Sequence, residues 1–189
     1  MGKSIFLIAL LTLGLLSTVY GEKPKDEWDI ADLQTKRLAP TTFSELPKNI
    51  IRELQTRGCG IPQTYANPKP HNVIHGEFAK KGQSDWAILC SKNMVSVILI
   101  FWGGAEKNVS EIAEMPDNTF LQGIGSGKIG YSRAITVIGK KFIMDHYKVY
   151  GGLKPPPIDH EGIDDAFIEK GSSVHYYYRG NWLKLTGAD

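Results

Sequence analysis

The sequence predicts an α+β fold, mainly an antiparallel β-sheet of hairpins, with an N-terminal helix and one short middle helix. Three observations predict it. Residues 85–90 (DWAILC) and 94–102 (MVSVILIFW) are apolar runs joined by the polar SKN, the pattern of a hairpin. A second stretch, residues 161–182, repeats the same order of turn, apolar run, turn and strand. The elements follow one another as helix, strands, short helix, strands, which is an α+β order and not the alternation of a parallel sheet.

The first residues, MGKSIFLIALLTLGLLSTVYG, put one lysine ahead of an apolar run from Ile5 to Leu16. This is the pattern of a secretory signal peptide ending near Gly21. The run is short for a membrane span, which needs about 20 residues. The expectation is therefore a secreted or periplasmic protein with no span after cleavage. Residues 22–42 are polar and mixed, with Trp28 as their one large anchor, and read as a flexible leader. Residues 43–189 are then one α+β domain, long enough to bury a core.

SELPKNIIRELQTRG reads as the N-terminal helix, with Pro47 in its first turn, Ile50, Ile51 and Leu54 as its stripe, and Gly58 as its stop. IPQTYANPKPH is loop. Residues 72–78 read as a strand. The run VILIF has almost no polar residue, so its strand is central and covered on both faces. AEKNVSEIAEM reads as the middle helix, started by a capping box of Asn108 and Glu111. Asn108-Val109-Ser110 is also a formal glycosylation sequon. Residues 131–138 and 141–150 read as another strand pair, KPPP as a rigid linker, and SSVHYYYRGNWLKL as a hairpin turning at Gly180-Asn181.

Charge excludes one class of partner. The formal net charge is +2, and Lys3 is the one charged residue in the export segment. The remainder is nearly neutral, which argues against nucleic acid. The two cysteines, Cys59 and Cys90, are expected to form one disulfide in an exported chain; a buried thiol pair is the alternative. GSGKIG, Gly125 to Gly130, has dinucleotide-loop spacing. That motif needs a strand before it and a helix after it, whereas a β-like run follows here, so a plain connection is expected. His71 and His75 share a strand face, but no third zinc ligand is near them in the sequence.

KGQSDWAILCSKNMVSVILIF and EGIDDAFIEKGSSVHYYYRGNW align as two copies of one hairpin entry. Each has a glycine three residues ahead of an aspartate, Gly82 and Asp85, then Gly162 and Asp165. The segments resemble FG-GAP or VCBS-type repeats, in which the loop binds calcium and the unit is a propeller-blade hairpin. In the first copy Gly76, Phe78, Gly82, Asp85 and Ala87 match, Glu77 stands for the first aspartate, and Ala79 and Lys81 replace ligands. In the second, Asp159, Glu161, Gly162 and Asp165 match, while Pro157 replaces the first ligand. The resemblance implies hairpin geometry and not a closed propeller. The order R-G-C-x-I-P-Q, N-V-I-x-G-x-F, D-W-A-x-L-C is also similar to bacterial exported proteins of unknown function, a likeness that brings no activity with it. Calcium takes six to eight oxygens. The expectation is that Lys81 replaces the cation in the first copy by pairing with Glu77 or Asp85. Asp159, Glu161, Asp164 and Asp165 are the candidate weak calcium ligands in the second; no other cofactor is expected.

In the last hairpin, Tyr176, Tyr178, Leu183 and Leu185 share a core-like face. His175, Tyr177, Arg179, Trp182 and Lys184 share the other, an aromatic and basic composition found at binding surfaces. A covering helix or loop is the plainer account of that face. No catalytic motif of the G-x-S-x-G or H-E-x-x-H kind is present. The function expected is thus a non-enzymatic module binding a protein or glycan of the cell envelope. A hydrolase built on His75, Glu77, Asp85 or His160 is the rival, and an inhibitor of a foreign enzyme the third reading.

Overall fold

The structure is a computed structural model that describes residues 26–189. The export segment at residues 1–21 lies outside it. The chain starts with α1 (Glu27–Gln34), β1 (Arg37–Leu38) and α2 (Lys48–Arg57), and β2 (Ile61–Pro62) pairs back on β1. Two antiparallel sheets follow. The first is a meander in the order β3 (Val73–Gly76), β4 (Asp85–Lys92), β5 (Val95–Phe101) and β6 (Ser110–Pro116). A small hairpin, β7 (Leu121–Gly123) with β8 (Ile129–Tyr131), leads to the second meander. This runs β9 (Arg133–Ile138), β10 (Gly162–Phe167), β11 (Gly171–Tyr178) and β12 (Asn181–Thr186), with α3 (Lys140–Tyr150) inserted between its first two strands.

Side-chain alternation on the strands stacks these parts as helix, sheet, sheet, helix. Ile88, Cys90, Leu99 and Phe101 on one face of the first sheet pack under Ile50 and Leu54 of α2. The opposite face, through Ala87, Leu89, Ile98 and Ile100, meets Ile135 and Ile163 of the second sheet. The outer face of the second sheet, with Val174, Tyr176 and Leu185, receives Ile143 of α3. β5 is covered on both sides, as its continuous apolar run predicts. The sandwich is closed where β3 touches β9. The two meanders end at β6 and β12, and here the sheets part.

Two segments take the opposite structure to that expected. AEKNVSEIAEM is not a helix. Asn108 turns the chain with φ of +60°, and residues 110–116 form edge strand β6, with Ile112 opposite Ile98. KKFIMDHYKVY is not a strand but α3, because Ile143 and Phe142 cover the second sheet while Phe142 and His146 stack at 4.0 Å, one helical turn apart. The leader residues that the structure describes are also held. Asp26 caps α1, and Arg37 Nη2 bridges Asp32 at 2.7 Å and buried Asp117 at 2.6 Å. GSGKIG supplies the turn of the β7–β8 hairpin, a backbone closed by Ile124 N–H on Lys128 O, with no helix after it to meet a phosphate. Gly58, with φ of +73°, ends α2 as expected.

Cys59 and Cys90 are disulfide-bonded, joining the end of α2 to β4. Among the described residues no helix is long and apolar enough to cross a membrane.

Candidate binding cleft

The two glycine-aspartate segments do different work. Gly82 turns a loop with φ of +81°, and that loop is wound around the fully buried Asp85. The Asp85 carboxylate accepts from the N–H groups of Phe78, Ala79 and Gly103 at 3.0, 2.9 and 2.7 Å, and from Gln83 Nε2 at 2.8 Å. Backbone dipoles, and not the expected Lys81, neutralise it. Gly162 and Asp165 instead lie inside β10, so the second copy has no such loop. The copies meet through Glu161, whose Oε2 accepts from Glu77 N–H at 2.8 Å and whose N–H donates to Glu77 O at 3.1 Å.

The four expected calcium ligands are not brought together. Asp159 faces the Tyr176 hydroxyl at 3.2 Å, and Glu161 is taken by Glu77. Asp164 and Asp165 are consecutive on a strand and point to opposite faces. Among the described residues no group of three or more His, Cys, Asp or Glu side chains could hold a metal ion. The residues of the hydrolase reading are equally dispersed. His75 sits exposed beside Ser84 and the Trp86 ring, Asp85 is consumed by its loop, and His160 stacks on Tyr176 at 4.3 Å.

A cleft of about 650 Å³ opens between β6 and the inner face of β10–β12. Its floor is a charged core. Arg133, fully buried, makes a bidentate pair with Asp165 at 2.9 Å for each bond. Its remaining donors reach Ser96 Oγ at 2.9 Å and Ala113 O at 2.6 Å, and the Phe120 ring lies 4.5 Å from its guanidinium carbon. Burial by itself would raise the Asp165 carboxyl; His175 and Arg133 outweigh it and hold the carboxyl below its ordinary value. Asp165 is thus an anion matched to a cation, and the pair adds no net charge to the cleft.

His175 is 7% exposed. Its Nε2 stands 3.5 Å from Asp165 Oδ2, an ion-pair distance, and has no hydrogen-bond partner among the described residues. Lys184 lies directly across from His175 in the sheet register, as Ser173 does from Asp165. Lys184 and Lys170 are exposed on the cleft's rim, and Glu114 faces them from β6.

The five residues of the expected binding face are therefore divided. His175 and Lys184 line the cleft. Tyr177 and Trp182, further along the same face, pack with Trp102 of the opposite layer at 4.9 and 5.7 Å, so the aromatic part is covered, largely by the first sheet. Arg179 is exposed in the turn, 5.2 Å from the Tyr178 ring. That turn is Arg179-Gly180, one residue earlier than expected. The shift moves the register by two residues, and the faces are unchanged. Arg133 and Ser173 were missed. Arg133 had a signal: alternation with Ile135 and Val137 puts it on the core face, where a charge requires a buried partner.

Comparison with family models, with curated proteins and with solved structures found no match for this chain.

Proposed function

We propose that this chain is a non-enzymatic exported module that binds a protein or glycan of the cell envelope in the cleft between its two sheets. The observation that carries this reading is the cleft itself, where buried His175 has an unpartnered ring nitrogen beside exposed Lys184, over a neutral Arg133–Asp165 floor. Clefts of roughly 300–1,000 Å³ with a few convergent polar groups are the usual form of ligand sites. Export rests on the pattern of residues 1–21 and on the disulfide. The likeness to FG-GAP-type hairpins enters for the first copy, where Asp85 organises the loop.

The test is retention of envelope components on immobilised residues 22–189. Lys184→Glu changes an exposed side chain and is expected to fold normally. The wild-type chain should retain a component that the variant loses. Equal retention by both would remove the cleft from the binding role.

A further inference from the structure

The chemistry of the cleft narrows its ligand, given the reading of that cleft as a binding site. We infer that it takes an anionic group, a carboxylate or a phosphate, carried on a larger polar ligand. Three observations converge on this class.

The first is the charge left over once internal pairs are removed. Arg133 and Asp165 cancel in a bidentate pair. Lys170 and Lys184 then line the cleft against one further acid, Glu114. Among the described residues neither lysine has a salt-bridge partner, while His175 stands at ion-pair distance from Asp165. The two lysines are uncommitted in a molecule whose overall charge is close to zero, so the excess is local.

The second is the state of His175. A buried polar atom with no hydrogen-bond partner is destabilising, and Nε2 is such an atom among the described residues. As a donor it needs an acceptor, and the nearest oxygen, Asp165 Oδ2, stands 3.5 Å away, too long for a good hydrogen bond. A ligand anion entering between His175 and Lys184 supplies that acceptor. It also meets the Lys184 ammonium, directly across from His175 on the adjacent strand.

The third is the remaining lining. Ser173, on the same face of the same strand as His175, adds a hydroxyl able to donate to an anion. Phe120 and Phe167, 5.7 Å apart, give the cleft an apolar wall. The body of the ligand, a sugar ring or an acyl segment, has a surface to rest on while its charge meets the lysines. A free anion would leave that wall unused.

Titration calorimetry of residues 22–189 with glucuronate, glucose 6-phosphate, inorganic phosphate and glucose tests this. The expected result is binding of glucuronate or glucose 6-phosphate, at least about tenfold tighter than glucose and tighter than inorganic phosphate. The two acidic sugars separate a carboxylate from a phosphate source. Lys184→Ala should weaken that binding by roughly tenfold, and His175→Gln by as much, with circular dichroism confirming the fold. Glu114→Gln should leave it unchanged or tighten it. Glucose bound as well as the acidic sugars would overturn the anionic class while leaving the cleft as a site. Binding untouched by Lys184→Ala, or no binding of any acidic probe at millimolar concentration, would overturn the inference itself. Retention of an envelope component that depends on Lys184 would then show that the cleft binds by other chemistry.

Discussion

Asp85 and Asp165 hold matching places in the sequence and are neutralised by different means. Asp85 is surrounded by N–H dipoles, Asp165 by a guanidinium. Asp164, between them in neither sense, has no such support. It is 8% exposed, its Oδ1 has no partner among the described residues, and burial raises its carboxyl above the ordinary value. A raised carboxyl destabilises the fold as pH climbs through the unfolded-state value, near 4, towards the folded one. The penalty is complete above the folded value and absent below the unfolded one. Asp164→Asn should therefore raise unfolding stability by about 1 kcal/mol at pH 7, and the gain should vanish near pH 3.5. Urea titrations of both proteins at the two pH values measure it; a loss at pH 7 would show that the ionised carboxylate is supported. Asp165 runs the other way: its depressed carboxyl contributes stability above about pH 4 that is lost as pH falls through the folded value. These differences were open to reading in part. Four carboxylates in seven residues look like a cation site only if they share a face, and strand alternation separates Asp164 from Asp165. The arginine that claims Asp165 lies 32 residues away, and no local pattern names it.

Elements were legible where local and tertiary preferences agree. α2 shows both, with an apolar stripe and a glycine stop, and β4–β5 show apolar runs long enough to fix a central hairpin. α3 and β6 show the conflict. Phe, Ile, Tyr and Val suggested a strand in residues 141–150, yet Phe142, His146 and Tyr150 stack in steps of four residues. Lys141 Nζ reaches Asp145 at 2.6 Å over the same step. That period is a helix signal present in the sequence. β6 had no equivalent cue, since its structure comes from pairing on β5, which a capping-box spacing cannot foresee. The β4–β5 turn carries an element-scale prediction. Asn93 and Met94 both have positive φ, +51° and +60°, as a type I′ turn requires, and the second position favours glycine. A non-glycine residue there costs roughly 1–2 kcal/mol, partly offset by the greater freedom of glycine in the unfolded chain. Met94 is exposed, so Met94→Gly should stabilise the protein by about 0.5–1 kcal/mol. The urea midpoint reads this directly, and a fall would mean that the Met94 side chain contributes contacts of its own.

At the scale of the whole molecule, two four-stranded meanders face one another, and the hairpins of the two aligned segments, β4–β5 and β10–β11, are the central strands of each. The two segments that align in the sequence thus hold central places in the topology and differ in loop chemistry. The sheets touch along β3 and β9 and part at β6 and β12, so the cleft sits at the open side. The disulfide lies in a different layer, between α2 and the outer face of β4. This separation predicts that stability and binding can be uncoupled. Cys59 and Cys90 are 31 residues apart, and closing a loop of that length in the unfolded chain corresponds to about 3–4 kcal/mol in the chain-entropy account. Cys59→Ala with Cys90→Ala should lower unfolding stability by that order. Acidic-sugar affinity, measured well below the melting temperature of the variant, should stay within about twofold of the wild type, because sites in separate layers that share no partner are close to additive. Loss of affinity in a variant whose circular dichroism remains native would show that the first sheet transmits strain from the disulfide to β6, and that the layers are coupled through β5.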